Sequence, residues 1–584
     1  MTAIEKLLTD HLDLWAATIK RKPAVGRGSS GKSELYGIKK LRELIIELAV
    51  RGLLVPQDSR DEPASELLKK IAAEKAKLVK EGKLKKENTL PAIAPSEKPF
   101  QLPSNWIFAR WGQIADWAVG SGFPTAAQGE VDQEVLFAKV SDMNLLGNEK
   151  YIVTTVNSIS IKTAEKIKAK AHPPGTVVFP KIGGAIATNK RRILARNTAI
   201  DNNCLGLTPR SGITTDYLYL LLSSVDLSVY QSGTSVPSLS QGSLELIVAG
   251  LPPLPEQHRI VARVNELMAL CDQLEQQTDA SLSAHQTLVE ISLNALISAT
   301  NHTQLACTWE RIAEHFDILF NTEGSIDQLK QTILQLAVMG KLVPQDPNDE
   351  PASELLKKIV AEKAKLVKEG RIKKDNLRPT ISDEERSFHI PASWIWVRLG
   401  EVGNTQTGAT PKQSDAHHYG NDVPFIKPGD ISDGKIISYE NDGLSFDGAI
   451  DLGRIAQSDS VLMVCIGTIG KCARVDRAVA FNQQINSVSP YLPMGHYIKV
   501  VLQSNYFQSL AWEHSSSTTI SILNKGKWEN ILFPLAPLAE QHRIVAKVNE
   551  LMVLCEQIKV RLNDLQTIQL HLADAMVEKV LARL

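Results

Sequence analysis

A direct internal repeat constrains the fold of this 584-residue chain more than any other feature of its sequence. Residues 41–82 recur as residues 329–370, with 32 of 42 positions identical at a constant offset of 288. The identical positions include charged residues. Packing of a core alone would not preserve them, because a core only needs apolar residues of similar volume. The repeat therefore indicates two copies of one surface that meet the same kind of partner. A recent duplication without a binding role is the alternative.

A second repeated segment carries a heptad pattern. Residues 256–274 and 540–558 are identical at 15 of 19 positions. Apolar residues at alternating spacings of four and three form a seam, which is typical of a helix that packs lengthwise on another helix. We predict that the two copies pair with each other. The seam residues are Ile260, Val264, Leu267, Cys271 and Leu274 in the first copy, and Ile544, Val548, Leu551, Cys555 and Ile558 in the second.

Two diverged inserts separate the repeated helical segments. Both contain strand-like runs bounded by turn residues, for example 176–179 and 460–465, and both end in a more helical stretch. We predict an α+β fold with two globular α/β domains, joined by long antiparallel coiled-coil helices in a pseudo-two-fold internal repeat. The predicted regions are N-terminal helical (1–98), first insert (99–255), central helical with the second repeat copy (256–386), second insert (387–539) and C-terminal seam helix (540–584).

The overall composition identifies no partner. Lys plus Arg and Asp plus Glu both number 65, so a nucleic-acid surface would have to be local. Six cysteines without a CxxC pair do not indicate a disulfide framework. The sequence has no signal-peptide core and no run of about 18 apolar residues, so we expect a cytoplasmic protein.

Catalytic motifs do not stand out. The sequence has no Asn-Pro-Pro-aromatic tetrapeptide of amino-methyltransferases, no HExxH and no GxSxG. Residues 26–33 fit the phosphate-loop pattern, but Lys-Arg-Lys-Pro stands where the preceding strand should be, so nucleotide binding is only an alternative. Asp430, Asp433 and Lys435 resemble a nuclease pattern in a carboxylate-rich segment, where chance explains them. We predict no catalytic and no metal-binding residues.

The first insert carries a local basic segment. Residues 161–198 contain six Lys and three Arg against one Glu. Lys and Arg can contact phosphates, while Asn, Thr and Arg can read base edges. A solvated charged surface is the alternative. The predicted DNA-binding residues here are Lys181, Thr188, Asn189, Lys190, Arg191 and Arg192.

The second insert is not basic. It has 11 basic and 13 acidic residues, so its candidates follow from analogy of position with the first insert. Asn and Gln can bond bidentately to adenine, although such residues are often structural turn formers. The predicted DNA-binding residues here are Thr410, Lys412, Lys427, Lys471, Asn482, Gln483 and Gln484.

The order of these motifs, present twice, resembles the specificity (S) subunit of type I restriction–modification systems over essentially the whole chain. The motifs are LPEQHRIV at 254–261 with LAEQHRIV at 538–545, LAVxGxLVPQD at 48–58 with its copy at 336–346, the glycine-to-proline turns at 120–124 and 408–411, and PFIKPGD at 424–430. The direct repeat is similar to that of the type IB subclass. The second LxEQ motif lacks the proline of the first, which removes only a helix-start preference.

The resemblance implies a function. In that family each variable insert is a target recognition domain that reads one half of a bipartite, asymmetric DNA site. The helical repeats separate the two domains and dock two modification subunits, which bind S-adenosylmethionine and methylate adenine. Two restriction subunits add ATP- and Mg-dependent translocation and cleavage. The S subunit is not an enzyme and carries no cofactor. A coiled-coil scaffold without DNA specificity and a single-chain DNA-modifying enzyme are the alternatives.

Overall fold

The computed structural model divides the chain into two compact units. Unit 1 comprises Met1–Ala280 and Gln566–Leu584, and unit 2 comprises Ser281–Leu565. The phosphate-loop match at 26–32, Asp433 and Lys435 lie outside the described residues. The structure describes residues 11–21, 33–82, 89–233, 236–374, 378, 380–412, 416–432, 437, 439–516 and 520–582.

Unit 1 combines a helical repeat copy, the first insert and the beginning of a long helix. Its helices are α1 (Leu12–Ala17), α2 (Tyr36–Val50), α3 (Ala64–Lys80), α4 (Trp111–Ile114), α5 (Ile161–Lys166), α6 (Thr215–Ser224), α7 (Gln241–Leu244) and α8 (Leu254–Ser298), the last of which continues into unit 2. Its strands are β1 (Lys20–Arg21), β2 (Ser33–Glu34), β3 (Ile107–Arg110), β4 (Ala115–Val119), β5 (Val135–Ala138), β6 (Tyr151–Ile152), β7 (Asn157–Ile159), β8 (Ala171–His172), β9 (Val177–Pro180), β10 (Arg192–Leu194), β11 (Thr198–Ile200), β12 (Cys204–Pro209), β13 (Gln231–Ser232), β14 (Ser238–Leu239) and β15 (Val248–Leu251).

Unit 2 has the same composition. Its helices are α9 (His302–Glu314), α10 (Phe316–Leu319), α11 (Glu323–Val338), α12 (Ala352–Lys368), α13 (Leu399–Val402), α14 (Phe446–Leu452), α15 (Gly495–Gln503), α16 (Asn505–Glu513), α17 (Lys525–Trp528) and α18 (Leu538–Ala582), the last of which ends in unit 1. Its strands are β16 (Ile395–Arg398), β17 (Gly403–Thr407), β18 (Tyr419–Ile426), β19 (Gly443–Leu444), β20 (Ile455–Ala456), β21 (Val461–Val464), β22 (Cys472–Arg474), β23 (Val479–Phe481), β24 (Ile485–Pro490) and β25 (Leu532–Leu535).

The two inserts share one core topology although their sequences have diverged. The first insert adds strand β6 and the two-stranded sheet β13-β14. In the first insert the sheets have the strand orders β4-β12-β9-β10-β6, β7-β5-β11-β8 and β15-β3. In the second insert the corresponding orders are β17-β24-β21-β22, β19-β18-β23-β20 and β16-β25. Strands β3 and β15, and likewise β16 and β25, are antiparallel partners, so each insert begins and ends with one two-stranded ribbon. The predicted α+β fold and internal repeat are confirmed.

The seam residues pack inside their own units. Ile260, Val264, Leu267 and Cys271 belong to the core of unit 1, and Leu274 packs at its margin. The partner helix there is α2, whose Arg42 guanidinium lies 2.7 Å from carboxylates of Asp272 and Glu275 on α8.

The second seam is buried in the core of unit 2. Ile544, Val548 and Cys555 are buried there, with Leu551 and Ile558 at the margin. Its partner is α11, where Asp327 accepts from Lys559 at 2.9 Å. The seam residues of the two copies therefore lie in separate cores. The heptad pattern identified a lengthwise contact, but a periodic apolar face does not specify which helix covers it.

Each of the two long helices begins in one unit and ends in the other. Helix α8 begins in unit 1, and its Val289, Leu293 and Leu296 are buried in the core of unit 2. Helix α18 begins in unit 2, and its Ala573 and Val580 are buried in the core of unit 1. The predicted long helices that join the two domains are confirmed.

Buried polar contacts explain much of the identity between the repeats. In unit 1, Gln57 of the repeat block donates to Glu256 on α8 at 2.6 Å, and Asp61 accepts from Arg259 at 2.6 Å. In unit 2, Gln345 donates to Glu540 at 2.5 Å, and Arg543 donates to Asp349 at 2.6 Å. Burial raises the pKa of the Glu256 and Glu540 carboxyls above the ordinary value. These identical residues lock each repeat block onto its long helix, so their identity needs no external partner.

The outer part of α3 and α12 is different. Residues 74–81 and 362–369 are identical, and most of their side chains are exposed or half-exposed. Ile71 and Ile359, one turn earlier, are buried. Internal packing therefore explains why the first half of each helix is similar in the two copies. For the identical exposed second half, a surface that binds the same partner stays a prediction.

Candidate nucleic-acid interface

In each insert, two parallel strands end at the same edge of a sheet. Strand β5 runs parallel to β11, and the Asp201 amide after β11 donates to the Ala138 carbonyl at 3.0 Å. Strand β18 runs parallel to β23, and the Asn482 amide donates to the Ile426 carbonyl at 3.1 Å. Because parallel strands have their carboxyl ends at one edge, the residues that follow them lie close together.

A glycine turn packs against the polar turn at this edge. A Cβ on Gly120 would lie 1.9 Å from the Asp201 carbonyl oxygen, and one on Gly408 would lie 2.2 Å from the Asn482 carbonyl oxygen. Only glycine permits this approach of two backbones. The predicted glycine-to-proline turns thus begin beside the turns at 201–203 and 482–484.

A third segment completes the edge. After β9, the Lys181 amide donates to the Asn203 carbonyl at 2.7 Å, and after β21 the Cys465 amide donates to the Gln484 carbonyl at 2.8 Å. Gly183 and Gly467 follow with φ of +74° and +82° and open space at their Cβ positions. We define loop edge 1 as residues 120–122, 139, 181–190 and 201–203, and loop edge 2 as residues 408–412, 427, 465–471 and 482–484.

Four predicted residues lie on loop edge 1. Lys181 is half-exposed, and Thr188 is exposed at the end of the 3₁₀ turn Gly183–Thr188. Asn189 has a left-handed φ of +50°. The Lys190 ammonium donates to the Asn144 side-chain oxygen. The structure therefore brings these four residues together on one loop.

Arg191 is placed in the core instead, with 3% of its surface exposed. Its guanidinium donates to the carbonyls of Leu222 and Val225 at 3.1 and 3.2 Å, at the end of α6. It also lies 5.4 Å from the centre of the Phe179 ring, and burial lowers its pKa to about 10. The DNA-binding prediction for Arg191 is corrected, because its hydrogen-bonding groups are used by backbone carbonyls.

Arg192 is also bound to the backbone. Its guanidinium donates to the Arg191 carbonyl at 2.7 Å and to the Met143 carbonyl at 2.8 Å. The side chain is half-buried at the beginning of β10. A charge-dense run in a sequence therefore contains two arginines that serve the fold.

On loop edge 2, four residues form two hydrogen-bonded pairs. Thr410 donates to the side-chain oxygen of exposed Gln483 at 2.5 Å. Asn482 is 9% exposed, and its side-chain oxygen accepts from the Gln484 amide at 3.1 Å. Asn482 thus holds the turn, and its predicted role in reading bases stays a prediction. Gln483 and Thr410 present polar groups at the surface.

The predicted lysines of the second insert also lie at loop edge 2. Lys412 is exposed, and Lys471 is half-exposed before β22. Lys427 forms an ion pair with Asp442 at 2.8 Å. These side chains supply positive charge to an insert whose overall charge is slightly negative.

Sequence reasoning missed Lys139. It follows β5 as Lys427 follows β18, and the two differ by the repeat offset of 288. The signal was available, because Phe-x-Lys-x-x-Asp occurs at 137–142 and again at 425–430. Asn202 was also missed. Asn202 is exposed at the middle of the turn 201–203, as Gln483 is in the turn 482–484. No sequence pattern in the first insert indicated this equivalence.

Among the described residues, no group of three or more His, Cys, Asp or Glu side chains could hold a metal ion. Within the same part of the chain, no helix is long and apolar enough to cross a membrane.

The fold and loop edges together define a class. It is an internally duplicated binding protein, in which two inserts of one topology carry separately diverged polar loop edges. Comparison with known proteins identifies the family. The family described as Type I restriction modification DNA specificity domain matches residues 103–284 and 391–565. Each match covers most of one insert and the first part of the long helix after it.

Full-length relatives agree with this match. The chain is 40% identical to the Type I restriction enzyme EcoAI specificity subunit of Escherichia coli, over 99% of each chain. It is 38% identical to the EcoEI specificity subunit of Escherichia coli, over 99% of this chain and 100% of the relative. A crystal structure of an HsdS subunit from Thermoanaerobacter tengcongensis aligns over 83% of this chain and 98% of its own, with 18% identity and a TM-score of 0.38. The chain belongs to the type I restriction–modification DNA specificity family, and it is a specificity subunit of such a system.

Proposed function

We propose that the chain reads a bipartite, asymmetric DNA site, one half with each insert. The two loop edges share one backbone frame but differ in their exposed side chains, and this observation carries the proposal. The turn at 201–203 reads Asp-Asn-Asn, and the turn at 482–484 reads Asn-Gln-Gln. A shared frame presents side chains to a duplex in one way, and different side chains select different bases.

The exposed amides are the best base readers. Asn202 and Gln483 stand at the middle of matching turns, and both side chains are exposed. Amide side chains of this kind can pair bidentately with adenine in the major groove. Thr188 and Thr410 add hydroxyls, and the half-exposed Lys181 can contact the backbone of the duplex.

The chain functions with other subunits under this proposal. Two modification subunits would supply S-adenosylmethionine-dependent adenine methylation, and two restriction subunits would supply ATP- and Mg-dependent cleavage, in the cytoplasm. Support comes from the names of the relatives, which are specificity subunits of type I restriction enzymes. The identical exposed halves of α3 and α12 are the surfaces we assign to the two modification subunits. The direct repeat supports the type IB subclass.

An insert exchange tests the proposal. Ile395 pairs with Leu535, so the ends of the second insert are adjacent and residues 395–535 can be replaced by those of a relative without displacing the scaffold. The chimera is expressed with the modification subunits of its system, and methylated adenines are mapped across the host genome. We expect one half-site to change, while the other half-site and the spacer stay the same.

The first insert provides the matched control. Ile107 pairs with Leu251, so residues 107–251 can be exchanged in the same way, and the other half-site should change. Changes in both halves from one exchange would contradict the proposal. Methylation by the purified chain alone would instead support a single-chain enzyme. Loss of duplex binding in the presence of the modification subunits would support a scaffold without DNA specificity.

A further inference from the structure

We propose that matching lysine pairs, Lys139 with Lys190 and Lys427 with Lys471, clamp the phosphate backbone at both half-sites independently of base sequence. This inference rests on the proposed function and divides each loop edge into two parts. The lysines hold the duplex, and the diverged residues between them select its bases.

Lys139 and Lys427 have the same backbone environment. Each begins a 3₁₀ turn, Val140–Asn144 or Pro428–Asp430, and each donates its backbone amide to the aspartate three residues later, at 2.7 and 2.8 Å. The aspartate holds the turn, so it fixes where the lysine stem leaves the edge.

Lys190 and Lys471 match through the register of the sheets. Lys190 lies two residues before Arg192, which pairs with Val178, and Lys471 lies two residues before Ala473, which pairs with Leu462. Val178 on β9 and Leu462 on β21 are equivalent positions in the two inserts. On its other side, Val178 pairs with Gly206 near the middle of β12, and Leu462 pairs with Ser487 near the middle of β24. This match has an offset of 281, as do the turns at 201–203 and 482–484. It differs from the offset of 288 between Lys139 and Lys427 partly because the loop after β9 is longer than the loop after β21.

Lys190 also lies beside the turn that Lys139 begins. Its ammonium donates to the side-chain oxygen of Asn144, the last residue of the 3₁₀ turn. Lys139 and Lys190 therefore flank one turn.

The internal partners of the matching lysines differ. The Lys139 ammonium donates to Gln128 at 2.9 Å, whereas the Lys427 ammonium pairs with Asp442 at 2.8 Å. Gln128 and Asp442 lie on non-equivalent segments, so no common internal contact explains why both positions carry lysine. A common external partner does explain it.

Phosphate is the partner that fits. The inserts face different bases, so a residue identical in both cannot distinguish one half-site from the other. The backbone is the part of DNA that both half-sites share, and phosphate contacts position a protein without reading sequence. Lysine suits this role, because its ammonium is a point charge on a flexible stem.

The test measures binding as a function of salt. The full chain with its modification subunits carries Lys139→Gln, Lys190→Gln, Lys427→Gln or Lys471→Gln. Its Kd is determined for the duplex identified by methylation mapping, and for duplexes with either half-site scrambled. We expect each variant to weaken binding about 10-fold on all duplexes. The slope of log affinity against log salt should fall by about 0.9 for each lysine removed. The Arg variants should restore both quantities.

Lys162→Gln and Lys499→Gln are matched controls, because they remove lysines of the same inserts outside the loop edges. They should leave affinity and slope near those of the wild type. An unchanged slope in the clamp variants would overturn the inference, as would a loss confined to one base sequence. If the unmodified chain shows no preference for the mapped duplex, the proposed function itself has failed. If the wild-type chain prefers the mapped duplex but the lysine variants keep its affinity and salt dependence, only the lysine clamp is rejected.

Discussion

Substitution of Arg191 should destabilise unit 1 and leave the recognised bases unchanged. The side chain is 3% exposed and donates to two carbonyls at the end of α6. Although burial lowers its pKa to about 10, the guanidinium is charged at neutral pH. Its role is to terminate a buried helix, which the loop sequence alone does not reveal.

The magnitude follows from the bonds that are lost. Arg191→Met keeps most of the side-chain volume but removes the donors to the Leu222 and Val225 carbonyls. A buried acceptor without its donor costs about 1–3 kcal/mol, so the two carbonyls together should cost about 3 kcal/mol. At an unfolding entropy of about 2.1 cal/mol/K per residue, such a loss lowers the Tm of unit 1 by roughly 5 °C. Arg191→Ala should cost more, because it also leaves a cavity beside Phe179.

Thermal unfolding and methylation mapping together provide the assay. Lys181→Ala is the control, because its side chain is half-exposed and its removal should change stability by less than about 0.5 kcal/mol. The mapped sequence for Arg191→Met should match that of the wild type at a temperature where unit 1 is folded. A stability loss below about 1 kcal/mol together with an altered half-site would refute the reasoning and return Arg191 to the interface.

Three further changes test other parts of the structure. Gly408→Ala would place a Cβ 2.2 Å from the Asn482 carbonyl oxygen, so the turn must shift, and affinity for one half-site should fall at least 10-fold while the other half-site is unaffected. Val548→Asp should destabilise unit 2 by about 3 kcal/mol or more, since it buries a carboxylate in the second seam; a loss no larger than that of Val553→Asp, at an exposed position of the same helix, would contradict the packing. Glu540 has a raised pKa, so the folded state binds its proton more tightly than the unfolded chain; the contribution of this group to stability should be greatest below the ordinary Glu pKa and should decline as the pH rises through the raised value. Denaturant unfolding across that range should lose this dependence in Glu540→Gln, and an unchanged pH profile would exclude the carboxyl as its source.

The architecture was predictable because it depends on patterns that lie within the sequence. The repeats at 41–82 and 329–370 reveal the duplication directly, and the seams reveal long helices through their apolar period. The partner of each seam was not predictable. Ile260 and Ile544 could have packed on any helix with a complementary apolar face, and the structure places them in separate cores.

The candidate site was predictable in position and only partly in residues. The basic run after β9 does lie at the loop edge, yet Lys190 is half-exposed while its neighbour Arg191 is buried. The sequence shows that adjacent residues are charged. It does not show which of their side chains point to solvent and which point into the core. Lys139 was missed for the opposite reason, because it is an isolated lysine without a charged neighbourhood.

The sequence by itself determined the family, the duplication and the long helices, because each of these is a repeated or periodic pattern along one chain. The tertiary structure decided which residues meet. It brought residues 120, 139, 181 and 201 of the first insert to one edge, and it matched Lys190 with Lys471 through strand register. Such contacts join positions far apart in the chain, and packing and backbone hydrogen bonds select them only in the folded chain.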